Sequence, residues 1–157
     1  MKKLFLAIAL SVTAAVCVNA QNLSSLSKAA RLAYDYLAKE GYKPTIDEDN
    51  DVAFKYQGYN LYVDNDTSDP TYLDIYAPGV YEVDLDDAEQ VSDILTVCNN
   101  YNRSKKMIKV YLNKAGGVTF SSECYIGDSK DLTEVIETTL DFMMRGIPIF
   151  RDMYNEL

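Results

Sequence analysis

Apolar and polar residues alternate from Val52 to Val63 around a Gln57-Gly58 pair, and no other feature restricts the fold so sharply. Val52, Phe54 and Tyr56 fall on one face, the Gln-Gly pair turns the chain, and Tyr59, Leu61 and Val63 continue that face. A period of two interrupted by a glycine turn describes a hairpin with one side buried. A second hairpin is expected where Met107 to Asn113 and Val118 to Ile126 flank Ala115-Gly116-Gly117. Ile108, Val110 and Leu112 share a face of its first strand; Val118, Phe120, Cys124 and Ile126 share a face of its second. Between the hairpins, Thr71 to Ala77 points Leu73 and Ile75 one way and Tyr72, Asp74 and Tyr76 the other. Pro78-Gly79 should end that strand.

Elsewhere the spacing is helical. Leu26, Ala30, Ala33 and Leu37 predict a helix from Leu23 to Glu40, capped by Ser24 or Ser25 and closed by Gly41. The acidic run Asp47 to Asp51 and the polar stretch Asp64 to Pro70 read as connections. A second helix is expected from Asp86 to Asn102, with Val91, Ile94, Leu95, Cys98 and Tyr101 inward and Asp86 and Asp87 at its positive end. A third should begin near Asp128 or Ser129 and bury Leu132, Val135, Ile136, Leu140 and Met143. Gly146 and Pro148 should kink or restart it before Ile147, Phe150, Met153 and Tyr154 extend the stripe. Helix, three strands, helix, two strands and helix make an α+β domain, an antiparallel sheet packed with helices.

The N-terminus has a different character. Lys2 and Lys3, the apolar run Leu4 to Val18, and Val18-Asn19-Ala20 have the three-part layout of a secretory signal peptide. The run of about fifteen residues is too short for a membrane span of roughly twenty. Val16 is a poor small residue ahead of Cys17, which argues against lipoprotein processing there. Cleavage after Ala20 removes 20 of the 157 residues and leaves 137, residues 21–157, as one domain. The expected location is the periplasm or the exterior, without membrane insertion. The leader holds two of the fifteen basic residues and none of the twenty-four acidic ones. The remainder therefore carries 13 basic against 24 acidic residues, a net charge of −11. Such a surface repels nucleic acid and anionic lipid heads.

The chain has no histidine and no tryptophan. Ser-His-Asp and Cys-His nucleophiles and His-ligated zinc are thereby excluded, and no cofactor motif is present. Carboxylate chemistry of the glycosidase kind remains open, although the acidic residues cluster in turns and helix starts. Outside the leader the cysteines are Cys98 and Cys124, both expected on core faces. In an oxidising compartment they could form a disulfide stabilising the fold by about 3 kcal/mol; the alternative is two buried thiols.

Gly41-Tyr42 after the first helix, the Val52 to Val63 hairpin around Gly58, and Cys98-Asn99-Asn100-Tyr101-Asn102 running into Lys109-Val110-Tyr111-Leu112 carry a family likeness. In these marks and in element order, from Leu26 to Met153, the chain resembles the YbjN family, whose fold is like that of type III secretion chaperones. The resemblance implies a sensory transduction regulator or chaperone-like protein without an established reaction. Secretion chaperones work in the cytoplasm, so an export signal departs from that pattern.

Two acidic motifs and an asparagine cluster have side chains that could in principle hold a ligand. Asp47, Asp49 and Asp51 form the first half of a calcium-loop pattern, but Val52 and Gly58 stand where glycine and a bidentate glutamate are needed. Asp64-Asn65-Asp66 with Asp69 is shorter still, and no metal site is expected. Asn99, Asn100 and Asn102 read as a helix end rather than a ligand site.

The tyrosines carry more. All thirteen follow the leader. The face opposite Val52, Phe54, Leu61, Leu73, Val110 and Phe120 holds Tyr62, Tyr72, Tyr76, Tyr111 and Tyr125, mixed with Lys55, Asp74, Lys109 and Glu123. Tyrosine offers large amphipathic contact area and is enriched at interfaces. It also suits any half-exposed strand, and the middle helix could instead cover this face. The expected function is an exported, non-enzymatic binding module that recognises a protein or peptide, or its own twin, through these tyrosines. Alternatives are an envelope sensory or stress regulator with a small-ligand pocket between helices and sheet, and a carboxylate-based hydrolase.

Overall fold

The structure, a computed structural model, describes residues 23–157, so the expected leader from Met1 to Ala20 lies outside the described residues. Strands β1 (Thr45–Ile46), β2 (Val52–Tyr56), β3 (Tyr59–Val63), β4 (Tyr72–Glu82), β5 (Lys109–Leu112) and β6 (Gly117–Tyr125) form one sheet. Its order is β1-β2-β3-β4-β6-β5, every neighbouring pair antiparallel. Helices α1 (Lys28–Lys39), α2 (Ala88–Ser104) and α3 (Thr133–Asn155) supply the other layer. This is the α+β sandwich expected from the element order. The short strand β1 was not, because Thr45-Ile46 is too brief to alternate; it pairs with Ala53 and Val52.

The β2–β3 hairpin forms in the expected register, with Tyr56 opposite Tyr59. Gln57 and Gly58 both have positive φ, 47° and 89°, as a type I′ turn demands. A Cβ on Gly58 would meet nothing within 4 Å, so glycine is required there for its backbone angle and not for space. At the second hairpin the Asn113 carboxamide accepts from the N–H groups of Ala115 and Gly117 at 2.9 and 3.0 Å.

Several expected boundaries move. Helix α1 starts at Lys28, and its cap is Ser27, whose hydroxyl accepts from the Ala30 N–H at 3.2 Å, not Ser24 or Ser25. The Ser27 N–H in turn donates to Asn65 at 2.7 Å, so the cap is chosen by the loop that meets it. Pro78-Gly79 does not end the fourth strand. A bulge between Ala77 and Tyr81 absorbs both residues, and β4 continues to Glu82. Tyr81 thereby joins Phe150 and Tyr154 on the helix side.

Helix α2 is capped by Asp87, which accepts from the N–H groups of Glu89 and Gln90. Val97 is buried where Leu95 was expected; Leu95 is 51% exposed. Helix α3 begins at Thr133, later than Asp128 or Ser129, and runs through Pro148 without restarting. Pro148 is exposed, so water can satisfy the carbonyl its missing N–H leaves free. Val135 is 38% exposed instead of inward.

Ala29, Ala30 and Ala33 are fully buried on α1, and such small side chains let that helix lie close to the sheet. Leu37, Ile94, Val97, Ile136, Leu140 and Phe150 bring the helices into one cluster with Val52, Phe54, Leu61, Leu73, Ile75 and Phe120. The middle helix therefore belongs to the core side. It packs on β5 and α3. No helix among the described residues is long and apolar enough to cross a membrane.

Candidate functional site

Alternation along the strands puts Tyr62, Tyr72, Tyr76, Tyr111 and Tyr125 on the face opposite the buried Leu61, Leu73, Ile75, Val110 and Phe120. Strand register then arranges them in rows. Tyr62 lies across from Tyr76, which lies across from Ser121, which lies across from Lys109. The next row pairs Asp74 with Glu123, and the one after pairs Tyr72 with Tyr125. Tyr62 and Tyr76 stack with ring centroids 5.4 Å apart and planes inclined 20°. Tyr72 and Tyr125 meet edge to face at 5.5 Å. Cross-strand aromatic pairs of this kind stabilise a sheet as well as furnish contact area.

Polar groups fill the spaces between the rings. The Tyr76 hydroxyl donates to Asp51 at 2.6 Å, and Asp51 also accepts from the Asn65 N–H at 3.0 Å. Ser121 donates to Asp74 at 2.8 Å, and Lys109 pairs with Glu123 while lying 5.6 Å from the Tyr111 ring centroid. Ser121 and Thr119 are buried on this face beneath the taller side chains around them. Tyr125 stands clear, 71% exposed, and Tyr111 is 39% exposed. Lys55 occupies the same face nearer the β1 edge, opposite Asn60.

The two facing carboxylates titrate apart. Burial lifts Asp74 to about 6; the Ser121 hydrogen bond opposes that rise and Glu123 adds to it. Glu123 is held below the usual range, first by the hydrogen bond from Lys109. Lys109 is raised by the same bond. Tyr72 and Tyr76 are raised by burial and by their hydrogen bonds to Glu123 and Asp51, so both remain neutral phenols. Two acids with separated affinities are what a glycosidase pair requires. Here Glu123 is engaged by Lys109, Ser121 and Tyr72 at an exposed surface, an arrangement that holds a charge in place.

The other expected features resolve into local structure. Asp47 accepts from the N–H groups of Asp49 and Asp51, folding the D-x-D-x-D run into a turn between β1 and β2. The described residues contain no group of three or more acidic or cysteine side chains able to hold a metal ion. Asn102 does not end its helix, which runs two residues further. Its carboxamide instead donates to the Val110 carbonyl at 2.8 Å and accepts from the Val110 N–H at 2.9 Å, satisfying the outer edge of β5. Cys98 and Cys124 are free thiols, Cys98 buried and Cys124 half-buried. Burial raises both, Cys98 to about 11.

Sequence patterning brought out the five tyrosines, Asp74, Lys109, Glu123 and Lys55. It missed Asp51, which read as a turn residue, and Ser121. The parity of Ser121 with Glu123 on β6 would have found the serine; nothing local marks Asp51 as the partner of a tyrosine 25 positions away.

Comparison with known proteins identifies the architecture. No family model matches the chain, and no curated protein matches it. Among solved structures, YbjN from E. coli, described as a candidate transcription regulator, superposes with a TM-score of 0.56 at 10% identity. The match covers 73% of this chain and 85% of that one. An uncharacterised protein from Methanothermobacter thermautotrophicus superposes with a TM-score of 0.52 at 12% identity, covering 82% of this chain and 97% of the other. The fold is therefore YbjN-like.

Proposed function

We propose that this protein is an exported, non-enzymatic binding module whose tyrosine-bearing sheet face takes a basic segment of a partner protein or peptide. The observation that carries the reading is Asp74. It is a carboxylate set into a sheet face, opposite a second carboxylate and bordered by stacked tyrosines. Aromatic faces and carboxylates together suit a lysine or arginine side chain, which gains cation–π and charge-assisted contacts at once. Asp64, raised by burial and by the nearby Asp51 and Asp66, adds to the acidic character of this side. A second copy docked about a two-fold axis near Asp74 would bring Asp74 and Glu123 close to their own copies, so a basic partner suits the centre of the face better than a twin. The Lys2 to Ala20 pattern supports export. The absence of histidine and the engagement of Glu123 by Lys109 support a non-catalytic role.

A Lys/Arg-bearing peptide should bind measurably in a calorimetric titration, and a Glu-bearing peptide of the same length should not. Tyr62→Ser with Tyr111→Ser should weaken the basic peptide about thirtyfold without unfolding the domain, each lost aromatic contact removing on the order of 1 kcal/mol. Equal binding of both peptides, or binding indifferent to the two substitutions, would sink the assignment. Self-association in sedimentation that disappears with the same substitutions would point to the twin instead.

A further inference from the structure

A cavity of about 470 Å³ lies between the end of α2 and the middle of α3 and is lined on its apolar side by Tyr101, Met107, Phe142 and Ile149. Lys105, Lys106 and Arg145 stand around it. In a chain of net charge −9, three cations at one opening run against the overall balance. Arg145 is paired with Asp141 and lies 5.2 Å over the Phe142 ring. Lys105 and Lys106 form no ion pair among the described residues.

Tyr101 supplies an independent observation. It is only 2% exposed, its ring packed against Phe120 and Phe150. Its hydroxyl makes no hydrogen bond to any described residue; burial alone acts on it. No fully sealed side-chain oxygen or nitrogen among the described residues lacks a partner, so this hydroxyl must be the part of Tyr101 that reaches the cavity. Gly146 makes room for it, because a Cβ there would collide with the Tyr101 oxygen. A hydroxyl that opens into the cavity and has no protein partner is left to solvent, and an acceptor held in the cavity can take its proton instead.

Met107 joins this cavity to a neighbouring one of about 450 Å³ that follows α3 back past Thr138 and Val135 to Cys124, with Glu134, Glu123 and Tyr125 at its far side, so the cationic end of the groove is the end at Lys105. Met107 is 56% exposed and holds a left-handed backbone, φ 75°, at the junction. Its unbranched thioether adapts readily to an apolar guest.

We propose that this groove binds a single-chain anionic amphiphile. The acyl chain lies along Met107, Phe142 and Ile149, and the anionic head is met by the Tyr101 hydroxyl and by Lys105, one helical turn further on. Each cavity falls in the size range of small-molecule pockets, and their union through Met107 accommodates an extended chain. The cationic end beside Tyr101, Lys105 and Lys106 shares no residue with the tyrosine face, whereas the far end of the groove meets that face at Glu123 and Tyr125; binding of the head does not depend on the function proposed for that face.

Calorimetric titration with dodecanoate, kept below its micelle concentration, tests this directly. Dodecanoate should saturate one site, and dodecyltrimethylammonium should not compete for it. Tyr101→Phe should weaken dodecanoate about tenfold, the scale of one hydrogen bond to a charged group. Lys105→Glu with Lys106→Glu, two surface changes, should weaken it at least as much. Replacing dodecanoate by a twelve-carbon lysophosphatidylglycerol separates the two natural sources of such a head. Tighter dodecanoate assigns a free carboxylate, and the reverse order assigns a phosphodiester. Absence of a saturable site, equal affinity for the cationic amphiphile, or retention of affinity by both variants would overturn the proposal.

Discussion

The outer sheet face and the groove between α2 and α3 treat their polar groups in opposite ways. On the sheet face the groups complete one another: Tyr76 bonds to Asp51, Ser121 to Asp74, and Lys109 to Glu123. In the groove the Tyr101 hydroxyl has no partner among the described residues, and Lys105 and Lys106 lack counter-ions there. The difference separates a platform from a receptor. On a face whose polar groups are satisfied, what is left to meet a partner is ring geometry and residual negative charge. A groove whose donor is left to solvent can offer it to a ligand of the right chemistry, and binding then stabilises the fold by mass action.

That contrast can be broken most forcefully at Gly146. Gly146→Ala should overpack against the Tyr101 oxygen and lower the free energy of unfolding by about 2 kcal/mol in urea titration. In a Tyr101→Phe background the collision is removed, leaving the ring carbon at 3.3 Å to yield slightly. The same alanine should then be neutral or stabilising by up to about 1 kcal/mol, the helix preference of alanine over glycine. A loss that persists in the double variant would show that the hydroxyl is not what the methyl meets.

On the satisfied side, Tyr76→Phe should cost about 1–2 kcal/mol, because it strips a charge-assisted hydrogen bond from a carboxylate that is 9% exposed. Tyr101→Phe alone should cost nothing by the same measurement, since no hydrogen bond among the described residues is lost. Similar losses in the two variants would erase the distinction between face and groove.

The smallest expected change is at Asp74, and it has the opposite sign. Burial raises this carboxyl from 3.8 to about 6, so the folded chain binds its proton more tightly than the unfolded one. Stability contributed here is present below about pH 4 and is lost as pH rises through about 6. Asp74→Asn should therefore raise the melting temperature at pH 7, by an amount equivalent to roughly 1 kcal/mol or less once solvent screening is allowed for. The gain should vanish below pH 4. The asparagine keeps an acceptor for Ser121, so the change isolates the charge. A stabilising substitution that also abolishes capture of a basic peptide would mark a residue kept for binding at the expense of stability.

Much of this was legible from patterning. The period-two runs from Val52 to Val63 and across Leu73 and Ile75 located the sheet, because a sheet with one buried face writes its burial directly into alternate residues. The same parity placed five tyrosines together with Asp74 and Glu123. Boundaries were less legible where a distant partner set them. Ser27 caps α1 because Asn65 reaches it, and β4 passes Pro78 because β6 continues to pair beyond the bulge. Asn102 read as a helix end, yet its amide serves the edge of β5, eight residues along the chain.

The sequence by itself determined the layers, the faces of the strands and the acidic, histidine-free chemistry, since periodicity and composition are local properties. Only the tertiary structure decided which polar groups were left over. Tyr101 has the spacing of an ordinary core residue, and nothing adjacent to it in the chain reveals that its hydroxyl emerges beside Gly146, Lys105 and Lys106 without a partner. Whether a buried group is satisfied depends on every element packed around it, and that sum exists only once α2, α3 and the sheet have come together.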